Sequence, residues 1–312
     1  MSQFWHEERL LIDGKLVPAT GGRSYPNENP ATEEILGVAA DATREDVLRA
    51  IAAARRAFDE TDWSTNPSLR ARCLRQLHAA LREEKEQLRA IVVREAGAPV
   101  TLTPFMQIDD PIEMVAYWAE LAASYPYEER LADVPYLGRP QGRIVRREAG
   151  GVAGLITPWN VPLYLNIAKL GPALGSGCTA VLKPAPDTPW NATRLGRLIA
   201  EKTDIPAGVI NIVNCRDHRI GEMITTSPAV DIVAFTGSTG TGRRIMQCAS
   251  ETLKPVFLEL GGKSVLLALE DADVATVAAS AAKPAMFMGC SNFTHIAMQH
   301  KIAGAGGESQ GK

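Results

Sequence analysis

Several short stretches carry residue types suited to polar chemistry, and most of them follow an apolar run. After Gly-Leu-Ile come Thr157, Pro158, Trp159 and Asn160. The asparagine amide offers a donor suited to a developing oxyanion, or equally to capping a following helix. After Ala-Val-Leu comes Lys183, which can reach a ribose hydroxyl or a phosphate, or simply end a strand in solvent. The stretch "GSTGTGRR", Gly237 to Arg244, has the look of a phosphate-binding loop without its spacing. The GxGxxG pattern needs glycine where Thr239 stands, and the Walker pattern needs lysine after Gly242, where Arg243 stands. What remains is Gly237 and Ser238 ahead of a predicted helix, whose free N–H groups and dipole suit pyrophosphate oxygens. "ELGGKS" places Glu259 before two glycines, uncrowded enough to act as a general base, or merely to line a surface turn. The last candidate is Cys290 in "MFMGCSNF", a thiol of the kind that serves as a nucleophile.

Positioning these groups falls to an alternation of strands and helices that begins near Gly150. The runs GVAGLI, CTAVLK, GVINIV, DIVAFT, PVFLEL and SVLLAL are rich in Val, Ile and Leu, as strands buried on both faces are. Helices are predicted between them at 161–174, 190–202, 219–226 and 239–252. Such repetition predicts right-handed crossovers and an α/β fold with a doubly wound parallel sheet, which binds ligands beyond the carboxyl ends of its strands. Upstream, the Asp-Gly pair in "LLIDGKLV" predicts a hairpin. Thr43 and Asp46 form a capping-box pattern that opens a helix, with Val47, Leu48, Ile51 and Phe58 on its apolar face. A second helix is predicted over 67–95, with Leu74, Leu77, Leu81 and Leu88 as its stripe, and a third over 108–124. Residues 126–148 mix prolines and glycine with the alternating "GRIVRRE", which predicts an extended two-stranded arm that covers an edge strand or reaches a partner subunit.

Composition narrows the functional classes. A net charge of −3 without a long basic run removes the electrostatic case for nucleic acid. No apolar stretch reaches the length of a membrane helix, and the charged N-terminus lacks the apolar core of a signal peptide, so a cytoplasmic location is expected. The five cysteines are scattered without CxxC spacing, which argues against a zinc site or a disulfide framework and for small buried side chains.

Taken in order and separation, "TPWN", "KPAPDTP", "FTGSTGTG" and "LELGGKS", together with "NPATEEILG", "GPALGSGC" and "IPAGVINIV", resemble the aldehyde dehydrogenase superfamily from about Leu11 to about Ala282. The resemblance implies a Rossmann-like cofactor domain with N-terminal helices, an extended arm and only the start of a catalytic domain. It divides the chain into N-terminal strands and helices (1–125), a bridging arm (126–148), a cofactor-binding core (149–260) and an incomplete catalytic domain with an aberrant tail (261–312). The implied reaction is oxidation of an aldehyde to a carboxylic acid with NAD(P), through a cysteine thiohemiacetal and thioester. Asn160 would then donate to the oxyanion and Glu259 would activate the hydrolytic water. Thr157, Pro158 and Trp159 would line the site, Lys183 would bond the adenosine ribose, and Gly237 and Ser238 would receive the pyrophosphate. Leu260 and Gly261 would lie beside the nicotinamide. NAD is the implied cofactor. Many NAD-using members carry a glutamate three residues after the ribose lysine, but Pro186 stands there, so NADP is not excluded.

Two departures qualify the resemblance. The family's cysteine position, counted from the glutamate, falls on Phe293, three residues past Cys290, and the glutamine of the family's GQ-x-C context is missing. The resemblance also stops where the second domain would begin, so the chain reads as C-terminally truncated. A non-catalytic dinucleotide-binding remnant is the alternative to the enzyme. Expected partners are a small-molecule aldehyde and further copies of the chain through the 126–148 arm, with neither nucleic acid nor membrane.

Overall fold

The computed structural model of the chain describes residues 7–262, 266–269 and 271–286. It opens with a tight hairpin between β1 (Leu10–Ile12) and β2 (Lys15–Val17). The turn residues Asp13 and Gly14 both have positive φ, 54° and 71°, the left-handed pair that a two-residue hairpin needs and that Asp-Gly adopts readily. A second hairpin pairs β3 (Ser24–Glu28) with β4 (Ile35–Ala40).

Helix α1 (Arg44–Glu60) starts at the capping box read from the sequence: the Thr43 hydroxyl accepts from the Asp46 N–H, and the Asp46 carboxylate accepts from the Thr43 N–H. Removing the hydroxyl by Thr43→Ala should lower stability by about 1 kcal/mol, read as a fall in melting temperature of about 2 °C. An unchanged melt would show that the Asp46 half of the box suffices. Val47 and Ile51 are buried as expected, but Leu48 is half exposed. It sits one residue, and so about 100° of helical turn, away from Val47.

The helix expected over 67–95 is broken at Glu84 into α2 (Pro67–Glu83) and α3 (Lys85–Glu95). The break lets Glu84 pair with the buried Arg194 guanidinium while Leu74, Leu77 and Leu81 before it and Leu88 after it all remain in the core. Helix α4 (Asp109–Ser124) follows. Next come β5 (Glu128–Tyr136) and β6 (Arg139–Arg146), a ribbon whose strands pair only with each other among the described residues. At its base the Tyr127 hydroxyl accepts from Arg70 Nη2 at 2.9 Å and donates to the Ala122 carbonyl at 3.1 Å.

The remainder alternates strand and helix: β7 (Val152–Ile156), α5 (Pro162–Ser176), β8 (Thr179–Lys183), α6 (Pro189–Lys202), β9 (Ile210–Ile212), α7 (Arg219–Thr226), β10 (Ile232–Gly237), α8 (Thr239–Ala249) and β11 (Val256–Leu260), with α9 (Val274–Met286) last. The sheet runs β11-β10-β7-β8-β9-β1-β2. Its five strands from β11 to β9 are parallel, and the N-terminal hairpin extends it with β1 antiparallel to β9. The run SVLLAL, expected as a further strand, forms none over its described residues 266–269. Past Leu260 the chain leaves the sheet edge through Gly261 and Gly262, and Leu267 and Leu269 stand exposed.

Side chains of the central strands alternate between two cores. Val152, Ile156, Val181 and Val233 meet α1, α7 and α8 on one face. Ala153, Leu155, Ala180 and Leu182 meet α2, α4, α5 and α6 on the other. After β9 the chain crosses back over the sheet to enter β10 beside β7, so the winding direction reverses between β7 and β10. In a doubly wound sheet that reversal opens a crevice at the carboxyl ends of the two strands.

Candidate functional site

A cleft of about 420 Å³ occupies that crevice on the face covered by α7 and α8. Its floor includes Ile156 and Phe235, which are register partners across the β7–β10 boundary. Lys183 lies two residues beyond Val181 and therefore on the same face. It lines the cleft at 7% exposure, with its Nζ donating to the Pro184 carbonyl at 3.1 Å. From α7 come His218, just ahead of the helix, and Glu222; from α8 come Thr241 and Arg244. Glu222 and Arg244 form an ion pair of 2.6 Å that ties the two helices together. The Arg244 guanidinium in turn holds the Glu222 carboxyl below its ordinary range.

The start of α8 is shaped for close approach. Ser238 is its N-cap, accepting from the Thr241 N–H at 3.2 Å. A Cβ at Gly240 would meet nothing within 4 Å, so the first turn of the helix is open to a ligand. A Cβ at Gly237 would come within 2.4 Å of the Phe235 ring, so only glycine lets the ring fold back along the strand end. The Thr236 hydroxyl, one residue earlier, is buried without a hydrogen-bond partner among the described residues. Free helix N–H groups and a glycine-lined approach together fit a dinucleotide pyrophosphate.

The second group of candidates lies around the same edge. Thr157 extends the β7 ladder by donating to the Lys183 carbonyl at 3.2 Å, and its hydroxyl donates to the buried Asn166 Oδ1 at 2.7 Å. Gln107 Nε2 donates to the Asn160 carbonyl at 3.1 Å, so the Thr157–Asn160 turn is held from both sides. The N-cap of α5 falls on Val161 with no side-chain cap bond, so helix capping does not engage the half-buried Asn160 amide. Trp159 is 41% exposed beside it. Glu259 pairs in register with Thr236 and Leu260 with Gly237, while the Gly261 N–H donates to the Gly237 carbonyl at 3.2 Å. Because Val256 and Leu258 pack toward the α7 and α8 core, alternation turns Glu259 to the opposite face, the side of α5.

Lys169 on α5 was missed by the sequence reading. Burial lowers the pKa of its ammonium, and the charge of Glu259 acts against that shift, so the two groups sense one another across the α5 face. A single charged residue in the mostly apolar "LNIAKLGPAL" was the signal available. Thr157 to Asn160, Lys183, Gly237, Ser238 and Glu259 to Gly261 thus all stand at one sheet edge but divide between its two faces. Cys290 lies outside the described residues. Cys73, Cys178, Cys215 and Cys248 are free and buried, and burial pushes the thiols of Cys73 and Cys215 up to about 11, away from thiolate chemistry. Among the described residues no group of His, Cys, Asp or Glu could hold a metal ion, and no helix is long and apolar enough to cross a membrane.

A doubly wound sheet with a cleft at its winding reversal, a helix N-terminus on one side and a carboxylate on the other defines a Rossmann-like α/β protein. Residues 16–305 match the model of the aldehyde dehydrogenase family, and the chain belongs to that family. It is 38% identical over 274 residues to aminoaldehyde dehydrogenase 1 of Pisum sativum, covering 86% of this chain and 54% of the relative. It is 40% identical over 269 residues to 3-succinoylsemialdehyde-pyridine dehydrogenase of a Pseudomonas species, again covering 86% and 54%. Its structure is similar to an NAD+ complex of an aldehyde dehydrogenase from Bacillus cereus, with TM-score 0.84 and 34% identity over 93% of this chain and 59% of that one. The chain therefore spans little more than half the length of these relatives.

Proposed function

We propose that the chain is the cofactor-binding part of an NAD(P)-dependent aldehyde dehydrogenase that oxidises an aldehyde to a carboxylic acid. The observation that carries this reading is the β10–β11 register, which pairs Glu259 with Thr236 and Leu260 with Gly237 at the carboxyl end of the sheet. The Glu259 carboxylate on the α5 face and the Gly237–Ser238 turn on the α8 side thus flank the same strand ends, where a nicotinamide would emerge. The NAD+ complex of the Bacillus cereus neighbour supports NAD as the cofactor.

In this reading the dinucleotide, when bound, supplies the hydride acceptor. The protein supplies the rest. The Cys290 thiolate adds to the aldehyde carbon, and the Asn160 amide donates to the oxyanion that forms. After oxidation to the thioester, Glu259 takes a proton from water as the water oxygen bonds to the acyl carbon, and the thiolate leaves as the carboxylic acid is released. Thr157, Pro158 and Trp159 shape the turn that presents Asn160, and Leu260 and Gly261 border the nicotinamide. The exposed Tyr136, Leu137 and Ile144 of the ribbon support self-association through that arm.

The test is NADH formation by the full chain with a panel of aldehydes. Cys290→Ala should abolish turnover, and Glu259→Gln should reduce acid release by a factor on the order of 10²–10⁴. Turnover that survives Cys290→Ala would remove that residue as the nucleophile. Dinucleotide binding with no turnover from any aldehyde would favour a non-catalytic binding protein instead.

A further inference from the structure

A second cavity, of about 300 Å³, lies away from the carboxyl edge of the sheet, where the last turns of α4 and α5 meet the base of the ribbon. Helix α5 starts just after Asn160, and Pro172 on the cavity wall stands ~15 Å along the helix axis from its first residue. The walls are aromatic and apolar: Trp118 and Leu121 from α4, Pro172 from α5, and Tyr125 and Tyr127 from the segment that leads into the ribbon. They are also fixed in place. The Trp118 indole lies against α5, where a Cβ at Gly171 would collide with it. The Tyr127 hydroxyl is held by Arg70 and the Ala122 carbonyl, and the Tyr125 ring meets the Tyr127 ring edge-on at 5.2 Å.

Two charged side chains complete the lining, and one of them is already engaged. Arg147 pairs with Glu129 at 3.0 Å and lies over the Tyr125 ring at 6.0 Å. Glu148 has no hydrogen-bond or ion-pair partner among the described residues. An aromatic cavity with an uncommitted carboxylate at its rim favours a ligand with a flat hydrocarbon body and a positive end, because ring faces and carboxylate both attract a cation. A cavity of roughly 150 Å³ holds a benzene ring, so one twice that size has room for a ring with a short alkyl chain. We propose that this cavity binds an arylalkylamine, with its ring against Trp118, Leu121 and Pro172 and its ammonium at Glu148. A ligand so placed touches α4, α5 and the ribbon base together, so its binding fastens the arm to the two helices.

Ligand-observed NMR titration of the full chain with 2-phenylethylamine, 2-phenylethanol and 3-phenylpropionate tests this, because the three share a ring and a two-carbon chain and differ in the charge at its end. The amine should bind about fivefold tighter than the alcohol, the scale of one exposed ion pair. The propionate should be weakest, and the amine's advantage should shrink as salt is raised. Equal binding of amine and alcohol, preferential binding of the propionate, or binding of none of the three would overturn the proposal and leave the dinucleotide site standing. Glu148→Gln should bring the amine down to the alcohol and leave the alcohol unchanged. Ser176→Phe, at a second cavity-lining position, should fill the space and abolish binding of all three. Both positions are exposed, so both variants should melt like the parent. Amine binding that survives Ser176→Phe in a normally folded variant would place the ligand elsewhere and overturn the site.

Discussion

Stability of this chain should fall by about 3 kcal/mol as pH rises from roughly 4.5 to 7 through one group, taking ~1.36 kcal/mol per pKa unit, and Glu95→Gln should remove that fall. Glu95 ends α3 at 2% exposure and joins three elements. Its carboxyl accepts from Asn27 Nδ2 of β3 and from the Trp190 and Asn191 N–H groups of the first turn of α6, each at 2.9 Å, and also from Asn191 Nδ2. Burial pushes the carboxyl up to about 7, although all four hydrogen bonds pull it down. The sign follows from the raised value. Below the unfolded pKa, near 4.5, Glu95 is protonated in both states and its contribution is fully present. Between 4.5 and 7 the unfolded chain ionises first, so the folded state loses ground, and above 7 the loss is complete.

Chemical denaturation of the parent and the Glu95→Gln variant across pH 4 to 8 isolates this group, since other titrations cancel in the difference. The parent's advantage should be largest at the acid end and shrink toward neutrality. An advantage that grows with pH would mean the four donors outweigh burial and hold a carboxylate. Glu95→Ala should be the harsher change, costing about 4 kcal/mol at the acid end, where the parent's advantage is fully present, because it strands several buried N–H donors.

The second large effect belongs to Lys183. Lys183→Met should weaken dinucleotide binding by about 10- to 100-fold, the loss of one charge-assisted hydrogen bond of roughly 1.5–3 kcal/mol. The same change should leave the melting temperature equal or higher. Methionine keeps the length of the side chain and removes a nearly buried ammonium whose one hydrogen bond among the described residues is to the neighbouring Pro184 carbonyl. Opposite movement of affinity and stability marks a binding residue. A parallel drop in both would assign Lys183 to the core instead.

Much of the local structure was legible because short-range chemistry dictates it. Asp13-Gly14 could only turn tightly, Thr43 and Asp46 could only open a helix, and the apolar runs after Gly150 had the composition of doubly covered strands. The break at Glu84 was not legible, because the partner Glu84 meets there, Arg194, is more than a hundred residues away in sequence. The exposure of Leu48 was missed because an apolar residue at the margin of a helical stripe reads as part of it. SVLLAL has strand composition, but residues 266–269 gain no neighbour at the sheet edge.

The amino-acid sequence by itself determined which residues end each strand and, through them, the polar chemistry available at the carboxyl edge of the sheet. Only the tertiary structure decided how that chemistry is divided. Strand alternation says that successive side chains take opposite faces, but which helices cover each face depends on crossovers spanning the whole domain. Those crossovers put Lys183 under α7 and α8 in a cleft with Glu222 and Arg244, and turned Glu259 toward α5, where Lys169 feels its charge. Coulombic coupling depends on distance through space, and no spacing along the chain encodes it.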